Sequence, residues 1–287
     1  MMNEILVLIY SYKGKNLKDV VDNVFKNSSG KRKIKVIISD QHPLNRRDTF
    51  SSPNCSYFHI FWDFISSPCH HKNSFIRTNL SKYSLILGDS VMVPKNWDDD
   101  LVSLVEENNC VISGSGKTVL GLENLFFLSK ENKYTDSFSI TQYIDRDFIF
   151  GLTSFLSEVK YPTYLKYNGE EESLSVKIFT KGIDIYCTPS NYYKKVSENL
   201  IGQIYVPFSL NHNYNEAISL LKNGFNSFEN INGLERSVED FNIFHNNVFQ
   251  HLNDLPFHTN DVEYDPQALS FNKVDARRYL GNTKAIH

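Results

Sequence analysis

Apolar residues run unbroken from Ile5 to Ile9. A run without polar alternation fits a strand buried on both faces of a parallel or mixed sheet. Leu17, Val20, Val21, Val24 and Phe25 then recur at helical spacing and give one apolar face. A second strand is predicted over Ile34 to Ser39, closing on Asp40 and Gln41. This β-α-β opening implies parallel strands joined by a right-handed crossover. Tyr57 to Phe61 reads as a third strand, and Ser66 to Arg77 as a loop leading into a helix. Tyr83 to Leu87 is apolar on both faces, the pattern of a sheet centre. Leu101, Val102, Leu104 and Val105 give the next helix its buried face, and Cys110 to Ser113 another strand. The pattern weakens from 114 to 150, with a strand expected over Tyr143 to Phe150, ending at Gly151. A helix starts at Glu170, Glu171 and Glu172, turns Leu174, Ile178 and Phe179 inward, and breaks at Gly182. Ile183 to Tyr186 forms a short strand. Beyond about 205 the chain becomes Asn-rich and more helical.

Alternating strands and helices place the chain in the α/β class. Its 287 residues suffice for one large core, or one core and a smaller lobe. The expected division is a catalytic domain over 1–205 and an extension over 206–287 that packs on the same core and contributes to acceptor binding. With 30 Lys and Arg against 33 Asp and Glu, no overall charge demands a nucleic-acid partner, although a local basic groove stays compatible with it. Cys55, Cys69, Cys110 and Cys187 lack the close spacing of metal ligands and read as reduced thiols of a cytoplasmic protein. The first apolar run is too short to span a bilayer and lacks a basic front, so no membrane partner is expected.

The chemistry centres on Tyr83 to Trp97, YSLILGDSVMVPKNW. Gly88 frees the backbone, and Asp89 follows the strand's carboxyl end, where open α/β sheets present ligand-binding groups. An acidic group there can hold a divalent ion or a ribose hydroxyl; the plainer alternative is a turn-capping Asp. Glu170 and Glu171 are the second constellation. Carboxylates at a helix start complement the dipole, and one of them can also serve as a general base or accept sugar hydroxyls. Asp98 to Asp100 is better explained by a helical first turn than by a metal motif. SGSGKT, Ser113 to Thr118, imitates a phosphate-binding loop, but Val111 stands where the pattern needs glycine, so an NTPase reading is set aside. Cys69, His70 and His71 read as a polar helix start rather than a metal site.

Taken in order, these pieces resemble the GT-A-type glycosyltransferases, in particular the cytoplasmic GlcNAc transferases that modify hydroxyproline. The resemblance runs through Ser11-Tyr12, the strand ending at Gln41, Arg77, LGDSVMVPKNWDDDLV and GEEESLSVKIFTKGIDIYCTP. It implies a GT-A-like, Rossmann-like mixed sheet flanked by helices, and a more helical C-terminal extension. It implies a UDP-sugar donor, with Ser11 and Tyr12 near the base, Arg77 at the diphosphate, and Asp89 at the ribose or a metal. Asp40 and Ser90 are counted with these donor-binding groups. Glu170 and Glu171 would face the donor sugar and acceptor, with Asp89 completing the catalytic set. Members of that family resemble retaining enzymes that use a divalent ion; held here by Asp89, the diphosphate and waters, it would be Mn or Mg, which suit hard oxygen ligands.

The chain departs from the family where Val91 replaces a motif histidine, and where a later histidine has no counterpart near Asn191 to Lys195, His212 being the nearest. The expected reaction is transfer of a sugar to a hydroxyl. The acceptor is a protein hydroxyl, as the resemblance implies, or a hydroxymethylated base in DNA, which suits a bacterial virus decorating its own genome in the host cytoplasm. A surface glycan is a third class. The non-enzyme alternative is a sugar- or nucleotide-binding protein that has lost catalysis, supported by Val91.

Overall fold

The computed structural model describes residues 4–12, 14–41, 45–50, 52–60, 68–114, 136–141, 144–162, 170–196, 235–237 and 239–240. In chain order these form Glu4–Tyr12 (β1), Leu17–Lys26 (α1), Lys33–Gln41 (β2), Cys55–His59 (β3), Pro68–Thr78 (α2), Tyr83–Gly88 (β4) and Val91–Met92 (β5). There follow Trp97–Asn108 (α3), Val111–Ser113 (β6), Ser139–Thr141 (β7), Phe148–Leu152 (β8), Thr153–Val159 (α4), Glu170–Thr180 (α5), Ile185–Cys187 (β9) and Lys194–Lys195 (β10).

Among the described residues, eight strands make one mixed sheet in the order β3-β2-β1-β4-β8-β6-β9-β7. β1 pairs in parallel with β2 and β4, and β2 with β3. β8 runs antiparallel to both β4 and β6. The pleat sends alternate residues to opposite faces. Ile5, Val7 and Ile9 of β1 join one cluster with Val20 and Val24 of α1 and Trp97 and Leu101 of α3. Leu6 and Leu8 join another with Ile76 of α2, Leu156 of α4, and Leu174 and Ile178 of α5. Helices therefore cover both faces, which is why β1 and β4 read as continuous apolar runs rather than alternating ones. The expected mixed α/β architecture is the one observed.

The short pairing β5-β10 lies apart from the main sheet and was not expected. Neither was β7, nor α4, which follows β8 directly. Asp98 and Asp99 do lie in the first turn of α3, but their work is across the fold. Asp98, 0% exposed, accepts from the Ser29 amide and hydroxyl, both at 2.7 Å, and Asp99 pairs with Lys31 and Arg32. The expected boundary near 205 and most of 206–287, His212 included, lie outside the described residues. The described 235–237 segment meets α5: the Glu235 and Arg236 amides donate to Thr180 O, and Arg236 pairs with Asp184 at 2.7 Å.

Trp97 is wholly buried between α1 and the sheet, and its indole N–H donates to Val24 O at 3.1 Å. Trp97→Ala removes the largest side chain of that layer and strands the carbonyl. The expected loss is about 3–5 kcal/mol in urea unfolding; a loss below about 1 kcal/mol would contradict this packing.

Candidate active site

The parallel register brings the ends of β1, β2 and β4 to one edge of the sheet. Ser11 lies opposite Asp40, Tyr12 opposite Gln41, and Tyr10 opposite Gly88. Because β8 is antiparallel, its start joins the same edge: Leu87 pairs with Phe148, and the Gly88 amide donates to Asp147 O at 2.9 Å. Two groups of polar side chains meet there.

The first surrounds Gly14. The Gly14 amide donates to Ser11 Oγ at 3.2 Å, and a Cβ at position 14 would collide with the Asp89 carboxylate and come within 2.8 Å of Ser11 Oγ. Glycine is thus required by close approach rather than by backbone angle. Asp40, 0% exposed, takes a two-pronged contact from Arg46 at 2.9 and 2.7 Å and a hydrogen bond from Tyr57 at 2.7 Å. Arg46 also donates to Gly14 O at 2.6 Å. With both its oxygens engaged, Asp40 anchors the Gly14 loop through Arg46. A bidentate pair of this kind fixes geometry as well as charge.

The second group lies on the face covered by α2 and α5. Lys72, 2% exposed, donates to both Glu170 oxygens at 3.0 and 3.1 Å, and the Cys69 thiol donates to Glu170 at 3.1 Å. The ammonium also sits over the rings of Tyr10 and Tyr161, at 4.1 and 4.7 Å. Burial pushes the Glu170 carboxyl up, but Lys72, the Cys69 hydrogen bond and Arg146 outweigh it and hold Glu170 below the usual range. Glu171 behaves in the opposite way. Burial and the neighbouring Glu170 charge raise it to about 7 against the pull of Arg146. Its side chain keeps 26% of its surface exposed, and Arg146 Nε stands 3.6 Å from its Oε1. Two adjacent carboxyls are thereby driven apart in acidity, one held below the usual range and one raised to about 7.

Arg146 lies between Asp145 and Asp147. Asp145 accepts from Tyr193 at 2.8 Å, and Lys195 contacts Asp147 at 3.0 Å and Asp145 at 3.7 Å. Burial would raise the Asp147 carboxyl, but Lys195 and Arg146 hold it low. The sequence pattern assigned no site role to Lys72, Asp145, Arg146, Asp147 or Lys195. The available signal for Lys72 was helical phase: Cys69, Lys72 and Ile76 share the buried face of α2.

Of the residues expected at the site, Ser11, Asp40, Asp89 and Ser90 come to this edge, as does the Tyr12 backbone, and Glu170 and Glu171 line its second group. The structure does not bring Arg77 there. It is exposed in the last turn of α2, beside the start of β4, whereas Asp89 follows the end of that strand. Val91 is 0% exposed and pairs with Lys195 across β5 and β10. The position is thus a core one, not a ligand position. Among the described residues no three His, Cys, Asp or Glu side chains form a metal-binding cluster. Asp145 and Asp147 are already engaged by Lys195, so the donor set does not fit an ion held by protein alone. Of SGSGKT, Ser113 and Gly114 are described: Ser113 Oγ accepts from the Asp145 amide at 2.6 Å, and residues 115–118 lie outside the described part. A cavity of about 260 Å³ lined by Asn109, Cys110, Leu152 and Phe155 lies at the opposite edge of the sheet.

With this geometry in view, the chain was compared with known proteins. A family model described as "Glycosyltransferase (GlcNAc)" matches residues 124–195, which include Arg146, Glu170, Glu171 and Lys195. No curated protein matches the sequence. Among solved structures, S. aureus TarS 1-349 in complex with UDP-GlcNAc gives a TM-score of 0.56 at 12% identity, covering 93% of this chain and 77% of that one. The complex of the same fragment with UDP gives 0.55 at 12% identity, with the same coverage. The fold is GT-A-like. Longer TarS gives 0.53 at 12% identity over 92% of this chain, which spans only 46% of that protein. The matched description names the sugar and no acceptor. Among the described residues no helix is long and apolar enough to cross a membrane.

Gly14→Ala is expected to displace Asp89 and Ser11 and to cost about 1–3 kcal/mol in urea unfolding. An unchanged unfolding midpoint would show that the loop yields to the added methyl group.

Proposed function

We propose that the protein transfers N-acetylglucosamine from UDP-GlcNAc to an acceptor hydroxyl, with Glu171 as the general base. The observation that carries this reading is the pair of adjacent carboxyls at the edge of the sheet. Glu170 is buried and ionised against Lys72, and Glu171 is partly exposed and raised to about 7. A base poised near the working pH is what proton removal from a hydroxyl needs. The match to a GlcNAc transferase family over 124–195, and the likeness to a fold that holds UDP-GlcNAc in TarS, support the donor.

In this reading Ser11, Tyr12, Gly14, Asp89 and Ser90 hold the nucleotide end, and Asp40 acts through Arg46 on the Gly14 loop. The acceptor oxygen attacks the anomeric carbon as the bond to the diphosphate breaks. The bonding electrons leave with UDP, and the acceptor proton passes to Glu171. One displacement with an external base inverts the anomeric centre. The retaining outcome implied by the family resemblance hands that proton to the diphosphate and leaves Glu171 without a task, so inversion is the better fit. The extension over 206–287 is assigned to the acceptor side. Of the acceptor classes, hydroxymethylated DNA requires an affinity for duplex that falls steeply with salt, and a protein hydroxyl does not.

UDP-GlcNAc at 100 times its Kd should stabilise the protein by about 2.7 kcal/mol, read as a thermal shift. The absence of any shift would exclude the donor, and comparison with and without Mn reports whether Asp89 meets an ion carried by the diphosphate. A shift without release of UDP would favour the catalytically degenerate binding protein.

Glu171→Gln should keep UDP-GlcNAc binding and lower turnover about 10²- to 10⁴-fold. In the wild type the base works only when deprotonated. The rate should therefore climb with pH and level off above about 7, the value to which Glu171 is raised. A Gln variant with normal turnover would remove Glu171 from the chemistry.

A further inference from the structure

We propose that Arg146 is the positioning residue for proton transfer, holding the Glu171 carboxylate at the open edge of the sheet through charge and through a tied loop. This rests on Glu171 being the base. The guanidinium lies 3.6 Å from Glu171, on the segment that leads into β8. That segment is tied at successive points. The Ile144 amide donates to Ser175 Oγ at 3.1 Å, and the same hydroxyl donates to Glu171 O at 2.6 Å, so one serine links the loop to the base's own helix. The Asp145 amide is held by Ser113 and the Asp147 amide by Asp145 Oδ1 at 2.9 Å. The Arg146 carbonyl accepts from the Tyr10 hydroxyl. Asp147 is pinned in turn by Lys195, whose strand pairs with Val91.

Among the described residues, the titratable groups that act on Glu171 come from four parts of the fold. Arg146 comes from the loop before β8, Glu170 from α5 itself, Lys72 from α2 and Tyr161 from the segment after α4. Lys72 is committed to Glu170 by two contacts. Arg146 makes an ion pair with Glu171, and it leads the charges that draw the carboxyl down from its burial-raised value. Without it, burial and the Glu170 charge are opposed only by weaker pulls, Lys72 among them, and a larger share of the base is protonated at neutral pH.

The test is the pH–rate profile of three variants, each with its melting temperature and its UDP Kd. Arg146→Met should move the rising limb up by about one pH unit, costing roughly fivefold in kcat at pH 7 and recovering at high pH, with UDP Kd within about twofold. Arg146→Lys should leave the limb near that of the wild type. Asp147→Asn removes a carboxylate competing for Arg146 and should move the limb down; because its sign is opposite, it tests the inference even if Arg146→Met fails to fold. An Arg146→Met limb that stays in place, or a loss that falls on UDP Kd, would overturn the inference. A wild-type rate that is flat through pH 7, or an active Glu171→Gln enzyme, would instead overturn the base assignment beneath it.

Discussion

A lysine and a glutamate taken out of water together set the terms of this site. Lys72 is 2% exposed and Glu170 11% exposed in its side chain, and each satisfies the other at 3.0 Å. Removing one partner of such a pair leaves an uncompensated buried charge, a cost of about 3–5 kcal/mol. The pair therefore holds α2 and α5 at a fixed separation above the end of β1. It has a second effect on the neighbouring residue. A Glu170 locked in its charged form repels a negative charge at Glu171, and burial works in the same direction. One buried contact thus specifies both the packing of two helices and the acidity of the carboxyl beside it.

The sheet supplies the direction. β1 is sandwiched between β2 and β4 in parallel register, so their carboxyl ends share one edge. The antiparallel β8 starts where β4 ends, and this brings Asp145, Arg146 and Asp147 to the same place. Loops at that edge are free to carry polar groups because the strands behind them are buried on both faces and rigid. Gly88 and Gly14 serve the same end by a different route. A Cβ at Gly88 would stand 3.0 Å from Asp147, and one at Gly14 would strike Asp89. Both glycines let a carboxylate lie directly against backbone.

The long elements were legible because their burial is written in local pattern. β1, β2 and β4, and the apolar faces of α1 and α3, follow from runs and periods that no distant contact alters. Two-residue strands such as β5 and β10 carry no period, and their pairing is a tertiary event. Lys72 and Arg77 show the same limit at a single site. Both are cations on α2, and the resemblance to known transferases pointed to Arg77. Helical phase decides otherwise. Lys72 shares a face with Cys69 and Ile76, whereas Arg77, one residue past Ile76, is turned about 100° away from it and is exposed. A lysine in a polar helix reads as solvated until a buried acid is found opposite it. That acid lies 98 residues further along the chain.

Val91 is the sharpest departure from the resembled motif, and strand pairing explains it physically. The residue is enclosed because β5 accepts β10, and Lys195, directly across the ladder, extends to Asp147 and Asp145. A histidine at position 91 would have to bury an imidazole where the core has 0% exposure, at the cost of an unsatisfied polar group. The same pairing that forbids a ligand at Val91 thus delivers an ammonium to the two carboxylates nearby. Lys195 bridges Asp145 and Asp147, and the guanidinium of the residue between them stands 3.6 Å from Glu171.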